Sequence, residues 1–234
     1  MARFADYDTR GYATVEPRPG YAAWAAAYED DVVDEMDVAL LERLTRPHWS
    51  ATERVADLGC GTGRTGAWLR GAGVDGTIDG VDLTPEMLKR ADERGAHDTL
   101  READVRESGL DGGAYDLVIS ALVDEHLPEP APLHAEAMRL AAPGALWVQV
   151  SFHPQWIIAT GMPTHFDGPD GEPVAIATHV HLVSEQVEAG LAAGWRLTEM
   201  RERLVDDTWI ELKPKWERHR GLPVSVAYVW EAPR

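Results

Sequence analysis

The chain has 234 residues, 44% of them hydrophobic and 26% charged, enough for one domain with a substantial core and without an apolar run long enough to span a bilayer. Forty Asp and Glu against twenty-two Lys and Arg give a formal charge of -18, which repels a polyphosphate backbone and argues against nucleic acid as the substrate. The single cysteine, Cys60, excludes an intrachain disulfide and a thiolate metal cluster.

The first ten residues lack the apolar segment of a secretory signal, so a cytoplasmic protein is expected. Between residues 21 and 44, Trp24, Tyr28, Val32, Met36, Leu40 and Leu44 recur at the helical period and predict one or two N-terminal helices, with residues 1–50 expected as a helical cap. The remainder, 51–234, is expected to be the main domain. Arg54–Leu58 predicts a strand that ends in Gly59-Cys60-Gly61-Thr62-Gly63 and runs into a helix over 64–70. Thr77–Asp82 predicts a second strand, and Thr84-Pro85-Glu86 supplies an N-cap, a first-turn proline and an early acid for the next helix. Further strands are expected over 99–105, 115–122 and 145–152, with a helix over 132–141. Strands with crossover helices predict an α/β fold, a doubly wound and mostly parallel sheet. Residues 153–178 hold four prolines and three glycines with no clear period and are expected to form a lid or substrate loop. A helix over 184–193, a strand from Trp195 and a final strand over 224–232 complete the chain.

Glycines after a strand let the backbone approach a ligand at a helix N-terminus. Asp82, twenty-five residues after Asp57 at the end of the next strand, stands where an acid accepts both hydroxyls of a ribose. A charged acceptor makes each such bond worth roughly 1.5–3 kcal/mol. The turn reads G-x-G-x-G with Arg64 in place of the third glycine of the dinucleotide fingerprint, which argues against a nicotinamide dehydrogenase.

Asp57-Leu58-Gly59-Cys60-Gly61-Thr62-Gly63 resembles the first motif of the class I, Rossmann-like S-adenosylmethionine-dependent methyltransferases. The resemblance continues through Gly80-Val81-Asp82-Leu83-Thr84, Ala103-Asp104-Val105, Tyr115-Asp116-Leu117-Val118 and Ala142-Pro143-Gly144-Ala145-Leu146, and spans roughly residues 20 to 232. It implies a seven-stranded sheet of order 3-2-1-4-5-7-6 with the last strand antiparallel, and S-adenosylmethionine as cofactor. It further implies that Asp57, Gly59, Cys60, Gly61 and Gly63 form the cofactor turn, with Cys60 as a small packing residue, and that Asp82 binds the ribose. Leu83 would pack on the adenine, Asp104 and Val105 would meet its amino group, and Ser120 would stand at the end of the fourth strand. Tyr21, Trp24 and Tyr28 resemble the Y-x-x-W-A-x-x-Y-[DE] segment that covers the cofactor in small-molecule members. On one helix they share a face, either as a lid over the sulfonium or as ordinary core.

Methyl transfer from a sulfonium needs alignment first and a base only when the acceptor must lose a proton. Candidate bases after the fourth and fifth strands are Asp124, Glu125, His126 and His153. His179 and His181 alternate along one face, a spacing compatible with metal, but with no third ligand fixed by spacing no metal is expected. His181 ahead of Ala193-Gly194-Trp195 resembles a pocket histidine of related sequences. His126, His153 and His181 are the catalytic candidates. Trp209-Ile210-Glu211-Leu212-Lys213-Pro214-Lys215-Trp216 resembles a W-x-x-x-K-P-x-W stretch of such enzymes and is expected as a loop. The resemblance implies methyl transfer to a small, natural-product-like or aromatic acceptor by a monomer or homodimer, without nucleic acid or membrane. The alternative is a non-catalytic S-adenosylmethionine-binding protein of the same fold.

Overall fold

Short runs rich in Val, Ile, Leu and aromatic residues form strands because branched and flat side chains pack well on a pleated, buried surface. In the computed structural model, which describes residues 3–234, the N-terminal part holds β1 (Ala13–Val15), α1 (Pro17–Trp24), α2 (Tyr28–Asp31) and α3 (Val38–Leu41). Strand and helix then largely alternate: β2 (Arg54–Leu58), α4 (Arg64–Gly71), β3 (Thr77–Asp82), α5 (Pro85–Arg94), β4 (Thr99–Glu102), β5 (Tyr115–Ala121), α6 (Ala131–Leu140) and β6 (Ala141–Phe152). The remaining elements are α7 (Pro154–Thr160), β7 (His165–Asp167), β8 (Pro173–Ile176), α8 (Val183–Ala192), β9 (Arg196–Leu204), α9 (Asp207–Leu212) and β10 (Pro223–Glu231).

The main sheet runs β4-β3-β2-β5-β6-β10-β9. Its first five strands are parallel, and β10 is antiparallel to both β6 and β9. Counting β2 as first, this is the expected order 3-2-1-4-5-7-6. A parallel sheet must be covered on both faces. Trp147, Tyr228, Trp230, Leu133 and Leu140 fill one layer, and Val55, Leu69, Ile78, Val148, Val229 and Leu40 the other. All nine residues of β10 are buried. That burial fixes the antiparallel strand in the middle of the sheet rather than at its edge.

Three expectations need correction. The segment 21–44 is more broken than the one or two helices expected, being divided into α1, α2, a 3-10 turn at Asp34–Met36 and α3. Its acids are drawn to different neighbours: Glu29 to Thr62 and Arg94, Asp34 and Asp37 to Arg64, and Glu35 to the buried Arg203 of β9. No single straight helix could reach all of these. Residues 153–178 are not a bare loop, because they hold α7, β7 and β8, and β8 pairs in parallel with β1 to form a three-stranded sheet β1-β8-β7. Strands of three or four residues are too short to display a period in sequence. The tail also departs from a loop: α9 starts where the Asp206 carboxylate accepts from the Trp209 N–H at 3.2 Å, and Pro214–His219 is a 3-10 helix. Trp209 and Trp216 stack at 4.6 Å between ring centres.

Candidate active site

Gly59, Gly61 and Gly63 carry φ of 78, 52 and 83°, a region in which other residues are strained. They divide the work. A Cβ on Gly61 would point into open space over the cleft, whereas one on Gly63 would press on Ala91 of α5 at 3.2 Å. Gly61 therefore keeps the backbone accessible to a ligand, and Gly63 lets α4 and α5 pack closely. Asp82, closing β3, accepts from the Gly61 N–H at 2.9 Å through Oδ2 and from the Thr84 N–H at 2.8 Å through Oδ1. Burial pushes its carboxyl up, opposed by these two bonds.

A cavity of about 330 Å3 lies over this turn. Gly59, Gly61, Asp82, Leu83, Asp104 and Val105 line it on the sheet side, and Tyr21, Tyr28 and His126 on the other. Leu83 stays exposed as a flat apolar platform. The open face of Gly61 beside a carboxylate and an apolar platform fits the nucleoside part of the adenosyl cofactor implied by the resemblance. Asp104 is held by Arg106, whose Nε and Nη2 donate to its two oxygens at 2.9 and 2.6 Å, and this guanidinium holds the carboxyl below the usual carboxylate range.

A second cavity of about 410 Å3 meets the first at Tyr21, Tyr28 and Leu122. Its walls are aromatic, with Trp24, Phe152, Trp156, Phe166 and Trp216, and Glu125 also faces it. Trp24 packs between Tyr21, Tyr28 and Phe166, with ring centres 5.9, 4.8 and 5.7 Å away. Leu122 is the one non-glycine residue with positive φ among the described residues, at 58°. Such strain gathers at functional sites. Here it turns the chain off β5 so that Asp124, Glu125 and His126 follow in a short 3-10 helix.

Burial pushes the carboxyls of Asp124 and Glu125 up, and the Glu125 charge raises that of Asp124 further. Asp124 accepts from the Gln186 side chain at 2.6 Å and lines neither cavity. Glu125 keeps Oε2 buried without a hydrogen-bond partner, while Oε1 lies 3.5 Å from the Thr164 hydroxyl. His126 is pushed down to about 4 by burial. Its Nδ1–H donates to the Ala177 carbonyl at 2.8 Å, which leaves Nε2 to accept from the Tyr21 hydroxyl at 2.8 Å.

Of the sequence-named cofactor residues, Gly59, Gly61, Asp82, Leu83, Asp104, Val105, Tyr21 and Tyr28 come together around the first cavity. Asp57, Cys60, Gly63, Ser120 and Trp24 do not line it. Asp57 is buried behind the turn on His97, at 3.0 Å, and burial pushes the Cys60 thiol up. Ser120 lies buried within β5. Trp24 belongs to the second cavity. Among the catalytic candidates only His126 reaches a cavity. His153 caps α7, its Nδ1 accepting from the Gln155 N–H at 3.2 Å while Nε2 bonds Glu202 at 3.0 Å. His181 is buried and donates to the Leu127 carbonyl at 2.8 Å. His179 lines the first cavity instead. Arg106 and Leu122 gave no sequence signal.

The sheet order, the glycine turn and the acid at the next strand end together define the class I methyltransferase fold. Residues 56–148 match the family described as a methyltransferase domain. The chain is 31% identical to a chloroplastic tocopherol O-methyltransferase of Arabidopsis thaliana over 43% of its own length and 30% of that protein. It is 33% identical to a ubiquinone biosynthesis O-methyltransferase of Psychrobacter cryohalolentis over 42% of its length and 40% of that protein. It thus spans less than half the length of these curated relatives. An S-adenosylmethionine-dependent methyltransferase of Mesorhizobium loti has the same fold, with a TM-score of 0.67 and 22% identity over 86% of this chain and 99% of that one. The chain thus has the class I, Rossmann-like methyltransferase fold, and its residues 56–148 match a methyltransferase domain.

Proposed function

We propose that the chain transfers a methyl group from S-adenosylmethionine, held in the first cavity, to a small-molecule acceptor seated in the second. The observation that carries this reading is the shared wall: the two cavities meet at Tyr21, Tyr28 and Leu122. An in-line displacement needs donor and acceptor held end to end, and such alignment is worth ~7–11 kcal/mol. The bound sulfonium supplies an activated methyl group.

The chain's own residues do the rest. Gly61 and Asp82 hold the nucleoside, and Tyr21, fixed by its bond to His126, keeps the wall between the cavities in place. Glu125, which lines the acceptor cavity and keeps one oxygen without a partner, takes the proton that a hydroxyl acceptor loses as its oxygen bonds the methyl carbon and the donor's sulfur–carbon bond breaks. His126 is unsuited to that task because both ring nitrogens are engaged. The relatives' names, both O-methyltransferases, favour an oxygen acceptor. No helix among the described residues is long and apolar enough to cross a membrane.

The test is formation of S-adenosylhomocysteine by the purified chain with a panel of phenols, carboxylic acids and amines. Turnover on one acceptor class supports the reading. Cofactor binding with no turnover on any of them would favour the non-catalytic alternative.

A further inference from the structure

The chain has three lysines, and two of them, Lys213 and Lys215, line the second cavity beside Arg10 and Arg218. For a protein of formal charge -18 this is a local reversal of sign. Many arginines elsewhere are tied to carboxylates, among them Arg64 to Asp34 and Asp37, Arg203 to Glu35 and Asp206, and Arg220 to Asp207 and Glu217. Arg10, Lys215 and Arg218 form no ion pair among the described residues, and all three are exposed. The acids on the same wall are Asp167, at the surface, and the buried Glu125. The 3-10 helix Pro214–His219 fixes where two of the cations stand.

Below this rim the cavity is flat and aromatic. Trp156 and Trp216 lie 4.4 Å apart between ring centres, and Trp24 and Phe166 stack at 5.7 Å on the other side. The cationic side chains Arg10, Lys215 and Arg218 are exposed, whereas Glu125 on the same cavity is buried.

Taking the second cavity as the acceptor site of the proposed methyl transfer, we propose that the acceptor is an aromatic carboxylate. Its carboxylate is held at the rim by Arg10, Lys215 and Arg218, its ring lies against Trp156 and Trp216, and its reacting hydroxyl points inward to Leu122 and Glu125. Charged groups gathered at a mouth raise the local concentration of an opposite charge, and carboxylate bonds to Arg and Lys are the stronger, charge-assisted kind.

The experiment is calorimetric titration of the whole chain, with and without saturating S-adenosylhomocysteine. The probes are hydroxybenzoic and hydroxycinnamic acids, each paired with its primary amide. The free acids are expected to bind at least tenfold more tightly than the amides. The preference should shrink as salt rises from 20 to 500 mM, with both concentrations chosen to bracket a Debye length of roughly 10 Å. It should fall below threefold in Arg10→Gln/Lys215→Gln/Arg218→Gln, with S-adenosylhomocysteine affinity unchanged. Equal binding of acids and amides, no binding of any acid, or a preference that survives both salt and the triple variant would overturn the proposal. Failure of S-adenosylhomocysteine to bind would count against the methyl-transfer reading alone, since the acid and amide comparison is also made without it.

Discussion

Replacing Glu125 by Gln keeps the side chain's shape and removes its charge at a site that is 3% exposed. An unfolded Glu ionises near pH 4.3, whereas burial raises the folded value. Between the two values the native state binds more protons than the unfolded state, so the wild type loses stability as pH rises through that window, and the loss persists above it. Each tenfold change in proton affinity is worth about 1.4 kcal/mol. Glu125→Gln is therefore expected to be more stable than wild type by on the order of 1–3 kcal/mol at pH 8, a rise in Tm of roughly 2–10 °C. Near pH 4 the gain should vanish. Removing this charge also eases ionisation of Asp124, which adds to the gain. The same variant should turn over a hydroxyl acceptor about 10²–10⁴-fold more slowly, with S-adenosylhomocysteine affinity within about 1 kcal/mol of wild type. Thermal melts at the two pH values and a single-turnover assay check both halves. An equal Tm difference at both pH values, or full turnover, would refute the reasoning.

Asp82→Ala should weaken S-adenosylhomocysteine binding by roughly 1.5–3 kcal/mol by calorimetry, and should also destabilise the free protein by about 1–3 kcal/mol, because the Gly61 and Thr84 N–H groups lose their acceptor. His153→Ala removes the cap of α7 and a bond to Glu202, so denaturant melts should show a loss of about 1 kcal/mol while the rate of methyl transfer stays at the wild-type level. Arg64→Met leaves the buried Asp37 without its cation, and a loss of about 3–5 kcal/mol is expected in the same melts at neutral pH.

The glycine turn, Asp82 and the strand order were legible because each rests on a local rule. A backbone at positive φ asks for glycine, an acid closes the strand beside it, and buried parallel strands carry continuous apolar runs. What escaped the sequence depends on distant partners. The β1-β8 pairing joins segments about 160 residues apart in strands of three and four residues, so neither partner carries a period. His153 and His181 looked functional by type and position, yet each is bonded to the scaffold, one to Glu202 and the other to Leu127. Glu125 was one candidate base among four. It is distinguished only by its burial after the turn at Leu122, by one oxygen without a partner and by its place on the wall of the second cavity. Arg106, which engages Asp104 in the first cavity, stands in a run of charged residues that reads as ordinary surface.

The central claim is that the cavity over the glycine turn holds the adenosyl cofactor, and a calorimetric titration of the purified chain with S-adenosylhomocysteine and, separately, with NAD tests it most directly. Saturable one-to-one binding of S-adenosylhomocysteine in the micromolar range (roughly -8 kcal/mol), with no saturable heat from NAD, is the expected result. Saturable binding of NAD with none of S-adenosylhomocysteine would contradict it.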